Sequence, residues 1–139
     1  VSDWYQKTTG KQFTPEEDPG VLFVKGICER AAAGSYDTVV MGASFRTTDQ
    51  VLALAGCHRL TISPALLEEL NSMEGEVASK IQQTSVTPEP CTSLSEAGFR
   101  WQHNQDAMAN EMLADGIRRF ASDQQTLESL IAQRLTARA

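Results

Sequence analysis

The sequence is poor in the residues that build metal sites and disulfide scaffolds. Its three cysteines, Cys28, Cys57 and Cys91, form no close pair along the chain, and its two histidines are His58 and His103. With no Cys-x-x-Cys or His-x-x-x-His spacing, a zinc site is not expected. Isolated cysteines in or beside apolar sequence read as small buried hydrophobes of a reducing cytosol, so the expected location is cytoplasmic. Long apolar runs are missing as well. The longest, Val21 to Val24 and Val51 to Ala55, fall far short of the roughly 20 residues that a membrane span needs. Positive charge is scarce: 12 Lys and Arg against 18 Asp and Glu leave a net charge of −6. That balance speaks against nucleic acid or an anionic membrane as the main partner. The only lysines are Lys7, Lys11, Lys25 and Lys80; all fall in loops or on polar helix faces, where desolvation into an amine nucleophile is difficult. No Gly-rich phosphate loop, nucleophile elbow or paired-carboxylate spacing occurs.

The 139 residues amount to one ordinary domain and are too few for a complete eight-fold β/α barrel, which typically takes roughly 250. At 41% apolar and 22% charged, the composition is that of a core-forming chain rather than a disordered one. The segment up to Asp18 reads as polar and turn-rich. Asp18-Pro19-Gly20 then has the form of a helix start, with Asp18 as N-cap and Pro19 at the first helical position. Val21, Val24, Ile27, Cys28 and Ala31 recur at spacings of three and four, one helical face, and Gly34 closes it. Asp37 to Gly42 is a short β-branched run of the kind found in strands buried on both faces. Thr47 or Thr48 can cap a helix through Val51, Leu52, Leu54 and Ala55 that Gly56 stops. Arg59 to Ile62 is a second strand candidate. Ser63-Pro64 starts a further helix with Leu66, Leu67 and Leu70 on its apolar side. Residues 19–72 thus alternate helix and strand, the pattern of parallel strands with crossover helices, and the fold class is α/β.

Residues 75–93 read as loop, with Pro88, Pro90 and few apolar anchors. Residues 94–139 read as terminal helices: a short one over Ser95 to Asn104, capped by Ser93 or Ser95, then an amphipathic stretch from Asp106. The latter is one long helix or two helices broken near Ser122-Asp123. Its apolar stripe either wraps a covering layer or mediates subunit contact.

Met41-Gly42-Ala43-Ser44-Phe45-Arg46 holds the most chemical promise. It lies where a strand ends and a helix begins, the edge that faces the site in β/α folds. Gly42 and Ala43 let a ligand approach the backbone. The Ser44 hydroxyl and Arg46 guanidinium offer hydrogen bonds to phosphate oxygens, and a helix N-terminus adds N–H groups. The competing reading is an ordinary turn in which Arg46 pairs with Asp49. Asp37 begins the first strand and His58 precedes the second, at the opposite edge; Asp37 reads as a structural cap and His58 as a surface residue. Trp101-Gln102-His103-Asn104-Gln105-Asp106 reads as a packed helix end, with Trp101 buried and Asn104 or Asp106 capping the next helix, although it could also line a pocket.

Taken together, ordered blocks of this sequence resemble the C-terminal part of a transaldolase. They are Asp3-Trp4-Tyr5, residues 17–21, residues 38–46, Leu54 to Cys57, residues 59–67, Phe99 with residues 101–106, Met108-Ala109, Gly116 to Arg118 and Phe120-Ala121. The resemblance implies an eight-stranded β/α barrel, of which this chain holds about two strands with flanking helices plus the C-terminal helices. It implies an enzyme that moves a dihydroxyacetone unit from sedoheptulose 7-phosphate to glyceraldehyde 3-phosphate through a lysine Schiff base, with no metal or organic cofactor. Ser44 and Arg46 match the positions that hold the substrate phosphate. The Schiff-base lysine and the catalytic carboxylates match nothing here, since they belong to earlier strands, so no catalytic residue is assigned. With no initiating Met and an opening in mid-motif, the chain is expected to be a piece of such an enzyme. The alternative is a shortened, inactive chain that binds sugar phosphates or serves assembly. Sugar phosphates are the expected partners, and a homodimer through the C-terminal helices is possible.

Overall fold

The chain begins with a helix where the sequence suggests only turns. In the computed structural model, which describes residues 1–81 and 93–137, α1 runs over Ser2–Thr9. Its N-cap, Val1, offers no side-chain hydrogen bond, so local signals for it are weak. A non-local bond compensates: the Ser2 hydroxyl donates to Asp18 Oδ1 at 2.7 Å. Gly10 closes the helix at φ 69°, a left-handed conformation that L side chains resist.

Asp18 starts α2 (Pro19–Ala33) as expected, its Oδ1 accepting from the N–H groups of Gly20 and Val21 at 2.8 and 3.0 Å. Pro19 fills the first helical position, where a missing N–H costs nothing. The anticipated face is inward: Val21, Cys28 and Ala31 are buried and Val24 packs against them, while Ile27 at the edge of the stripe is exposed.

Two short strands follow, β1 (Met41–Ala43) and β2 (Arg59–Thr61), paired in parallel with Gly42 opposite Leu60. Between them lies α3 (Thr48–Leu52), closed at its start by a capping box of Thr47 and Gln50. Tight turns carry the chain from α3 to Gly56, which sits at φ 100° with a would-be Cβ only 2.5 Å from Ser79 Oγ. That close approach lets the later segment return: Lys80 and Ile81 donate their N–H groups to the Ala55 carbonyl at 2.8 and 3.1 Å. After β2, Ser63 caps α4 (Pro64–Asn71), which buries Leu66 and leaves Leu67 exposed.

Val21, Cys28, Ala31, Val40, Ala53, Leu54 and Ile81 form the core. Burying Leu54 and Val21, the two most enclosed of these, contributes about 1.5–3 kcal/mol each. The strand expected to be buried on both faces is covered on one. Val40 and Gly42 face the core, whereas Val39 and Met41 remain 57% and 58% exposed. Within the first unit, the described residues supply helices for one face of these two strands. Ile81 gives the expected loop an apolar anchor; Cys91, Pro88 and Pro90 lie outside the described residues.

By contacts the chain divides into two compact units, Val1–Cys91 and Thr92–Ala139. The second contains α5 (Glu96–Gln105), capped by Ser95, and α6 (Ala107–Thr136), capped by Asp106. α6 is a single helix of 30 residues, unbroken at Ser122-Asp123. Neither helix has a buried residue. Trp101, expected to be packed, is 62% exposed, because two helices alone supply no layer to receive it.

Candidate functional site

β1 delivers the chain to Ser44, which turns at φ 64°. For a residue with a Cβ this costs about 1–2 kcal/mol, and such strain persists only where the surroundings impose it. Phe45 is part-buried against the core on one side of the turn. On the other, Arg46 Nη1 donates to the Ser44 carbonyl at 3.1 Å. Arg46 does not pair with Asp49: its Nη2 donates to Asp3 Oδ2 on α1 at 2.6 Å. Both side chains are more than half exposed, so the pair adds about 0–1 kcal/mol of stability and leaves the guanidinium accessible.

Several backbone N–H groups of this turn are already engaged, Gln50 N among them, which donates to Thr47 Oγ1 at 3.3 Å. Gln50 Oε1 accepts from Arg46 N at 2.7 Å and from Thr47 N at 3.4 Å. The other end of the same amide, Nε2, donates to Asp18 Oδ2 at 2.9 Å. Asp18 is only 6% exposed. Burial pushes its carboxyl up, but hydrogen bonds from Ser2, Val21, Gln50 and Gly20 together outweigh burial and hold it below the ordinary 3.8. The link from Asp18 to Gln50 was invisible in the sequence, where Asp18 reads as a local helix cap and nothing singles out Gln50, 32 positions away.

Two recesses flank this bridge. A cleft of about 280 Å³ is lined by Arg46, Lys11, Asp3 and Asp49, and one of about 200 Å³ by Ser44, Ala43, Phe45 and Phe23. Ser2, Asp18 and Gln50 line both. Ser44 and Arg46 are thus neighbours in one turn that borders two adjoining recesses. Gly42 does not serve ligand approach as anticipated. It is buried, and a Cβ there would meet Leu60 Cδ2 at 3.0 Å and Leu54 Cδ1 at 3.3 Å, so its smallness serves packing between sheet and core. Ala43 is exposed and does border the Ser44 recess.

A family model described as transaldolase/fructose-6-phosphate aldolase matches residues 1–131. The chain belongs to this family. It is 61% identical over 135 residues to a transaldolase of Chromohalobacter salexigens, covering 97% of this chain and 43% of the relative. A transaldolase of Agrobacterium fabrum is 50% identical over 139 residues, 100% of this chain and 43% of its own length. One from Aliivibrio fischeri is 51% identical over 135 residues, 97% and 43% respectively. This transaldolase-family chain therefore spans less than half the length of these curated relatives.

The remaining candidates of the transaldolase-family chain lie elsewhere. Asp37 and His58 border a third cavity, of about 300 Å³, at the ends where the strands begin. Cys28 borders it too, and its Sγ lies 3.8 Å from that of Cys57, a proximity that sequence spacing hid. Burial and the neighbouring Cys57 push the Cys28 thiol up to about 11. Among the described residues no three His, Cys, Asp or Glu side chains group as metal ligands, and no helix is long and apolar enough to cross a membrane. None of the four lysines is buried and none lies on a strand.

Proposed function

We propose that this chain supplies the phosphate-binding end of a transaldolase, with the Ser44 hydroxyl and the Arg46 guanidinium holding the phosphate of a sugar phosphate substrate. In this reading the chain is the C-terminal portion of a β/α barrel. The whole enzyme transfers a dihydroxyacetone unit between sugar phosphates through a lysine Schiff base, without metal or organic cofactor, in the cytoplasmic pentose phosphate pathway. The Schiff-base lysine then belongs to strands other than β1 and β2, and Lys7, Lys11, Lys25 and Lys80 are not candidates for it. The apolar stripe of α6 is either a covering layer or the contact face of a homodimer.

One observation carries the reading: within a chain matched to this family over residues 1–131, a strained serine and an accessible arginine share the turn at the C-terminal end of a parallel strand. That edge is where β/α folds bind ligands. Arginine is suited to phosphate because its charge is permanent and its donors form a fork. In the full-length protein, Arg46→Ala is expected to raise KM for the phosphorylated substrate. Loss of charge-assisted hydrogen bonds of about 2–4 kcal/mol corresponds to roughly 30- to 1000-fold. Steady-state kinetics with an unchanged KM would remove Arg46 from the site.

A further inference from the structure

We infer that Asp18 and Gln50 form a relay of fixed polarity that positions the Ser44–Arg46 turn for phosphate; the inference rests on the reading above. Asp18 Oδ1 is committed to Ser2 Oγ and to the N–H groups of Gly20 and Val21. Its Oδ2 accepts from Gln50 Nε2 at 2.9 Å. A carboxylate held ionised can only accept, so Gln50 must present its NH₂ to Asp18 and its carbonyl oxygen to the turn. That oxygen takes the Arg46 N–H at 2.7 Å, immediately after Ser44 in its left-handed conformation. The relay therefore joins the buried start of α2 to the peptide that sets the direction of both phosphate-binding side chains. Neither residue touches the ligand. Both are positioning residues, and their effect is to pre-order the turn for its ligand.

Polarity makes the relay testable apart from folding. Asp18→Asn retains a good N-cap but places an NH₂ against Gln50 Nε2, so the contact is lost or the Gln50 amide turns over and opposes the Arg46 N–H. Gln50→Glu sets a carboxylate against Asp18. The double variant Asp18→Asn/Gln50→Glu restores a donor facing an acceptor at each joint with no change in total charge. In the full-length protein, inorganic phosphate is titrated while the amide resonances of Ser44 and Arg46 are followed. Each single variant should weaken phosphate about tenfold or more, and the double variant should recover to within about threefold of the parent. Gln50→Ala, which deletes the amide without introducing a repulsion, gives the same loss even where a single variant is too unstable to titrate. Wild-type affinity in Gln50→Ala, or a double variant no better than its parents, overturns the relay. Arg46→Ala separates the two layers of the argument. If it leaves phosphate binding intact, the site itself is wrong and the relay falls with it; if it abolishes binding while Gln50→Ala does not weaken it, only the relay falls.

Discussion

Ser44 carries two opposed demands in one residue. Its left-handed backbone, φ 64°, favours glycine, whereas the hydroxyl assigned to phosphate requires serine. Ser44→Gly is therefore expected to stabilise the fold by about 0.5–1 kcal/mol, strain relief being partly offset by the greater freedom of an unfolded glycine. The same change should weaken phosphate, so urea midpoints and phosphate titration must move in opposite directions. Gly42 sets the reverse case. With Leu60, Phe45 and Leu54 all within 3.3 Å of a would-be Cβ, Gly42→Ala overpacks the core and is expected to cost about 1–3 kcal/mol in denaturant unfolding. The residues of the turn were legible in the sequence, since Ser44 and Arg46 stand out where a strand gives way to a helix. The conformation of Ser44 was not, because serine is not a residue type that announces positive φ.

At the level of elements, starts were more legible than extents. Asp18 and Ser63 cap helices as expected, and Thr47, Ser95 and Asp106 do so where the sequence also offered Thr48, Ser93 and Asn104, because capping is a local interaction. α1 was missed because what holds it is not local: Ser2 reaches Asp18 across 16 residues and Asp3 reaches Arg46 across 43. β1 proved shorter and more open than its apolar run implies, since strand length depends on neighbours that hydrophobicity cannot reveal. The start of α2 also carries a pH dependence. Asp18 titrates below its ordinary 3.8 in the folded chain, so its contribution is present above that value and is lost as pH falls through the lower folded value. Acid unfolding followed by circular dichroism should show this loss below about pH 4, and Asp18→Asn should flatten it.

At the scale of the whole molecule, each unit displays large apolar side chains among its described residues. Phe23, Val39 and Met41 are more than half exposed within the first unit, as are Phe99, Trp101 and Phe120 within the second. Expressed alone, the 139-residue chain is expected to bind a hydrophobic dye strongly and to self-associate, as judged by fluorescence and sedimentation. Its lack of a lysine on either strand gives a chemical counterpart: borohydride reduction in the presence of fructose 6-phosphate should leave its mass unchanged. The Asp3–Arg46 pair has a consequence for the kind of anion this surface would accept. Asp3 already sits on one side of the Arg46 guanidinium, so an incoming anion competes with a carboxylate there. A doubly charged anion competes with that carboxylate better than a singly charged one does. Selection by valence follows, and affinity for phosphate should climb as its second proton leaves near pH 6.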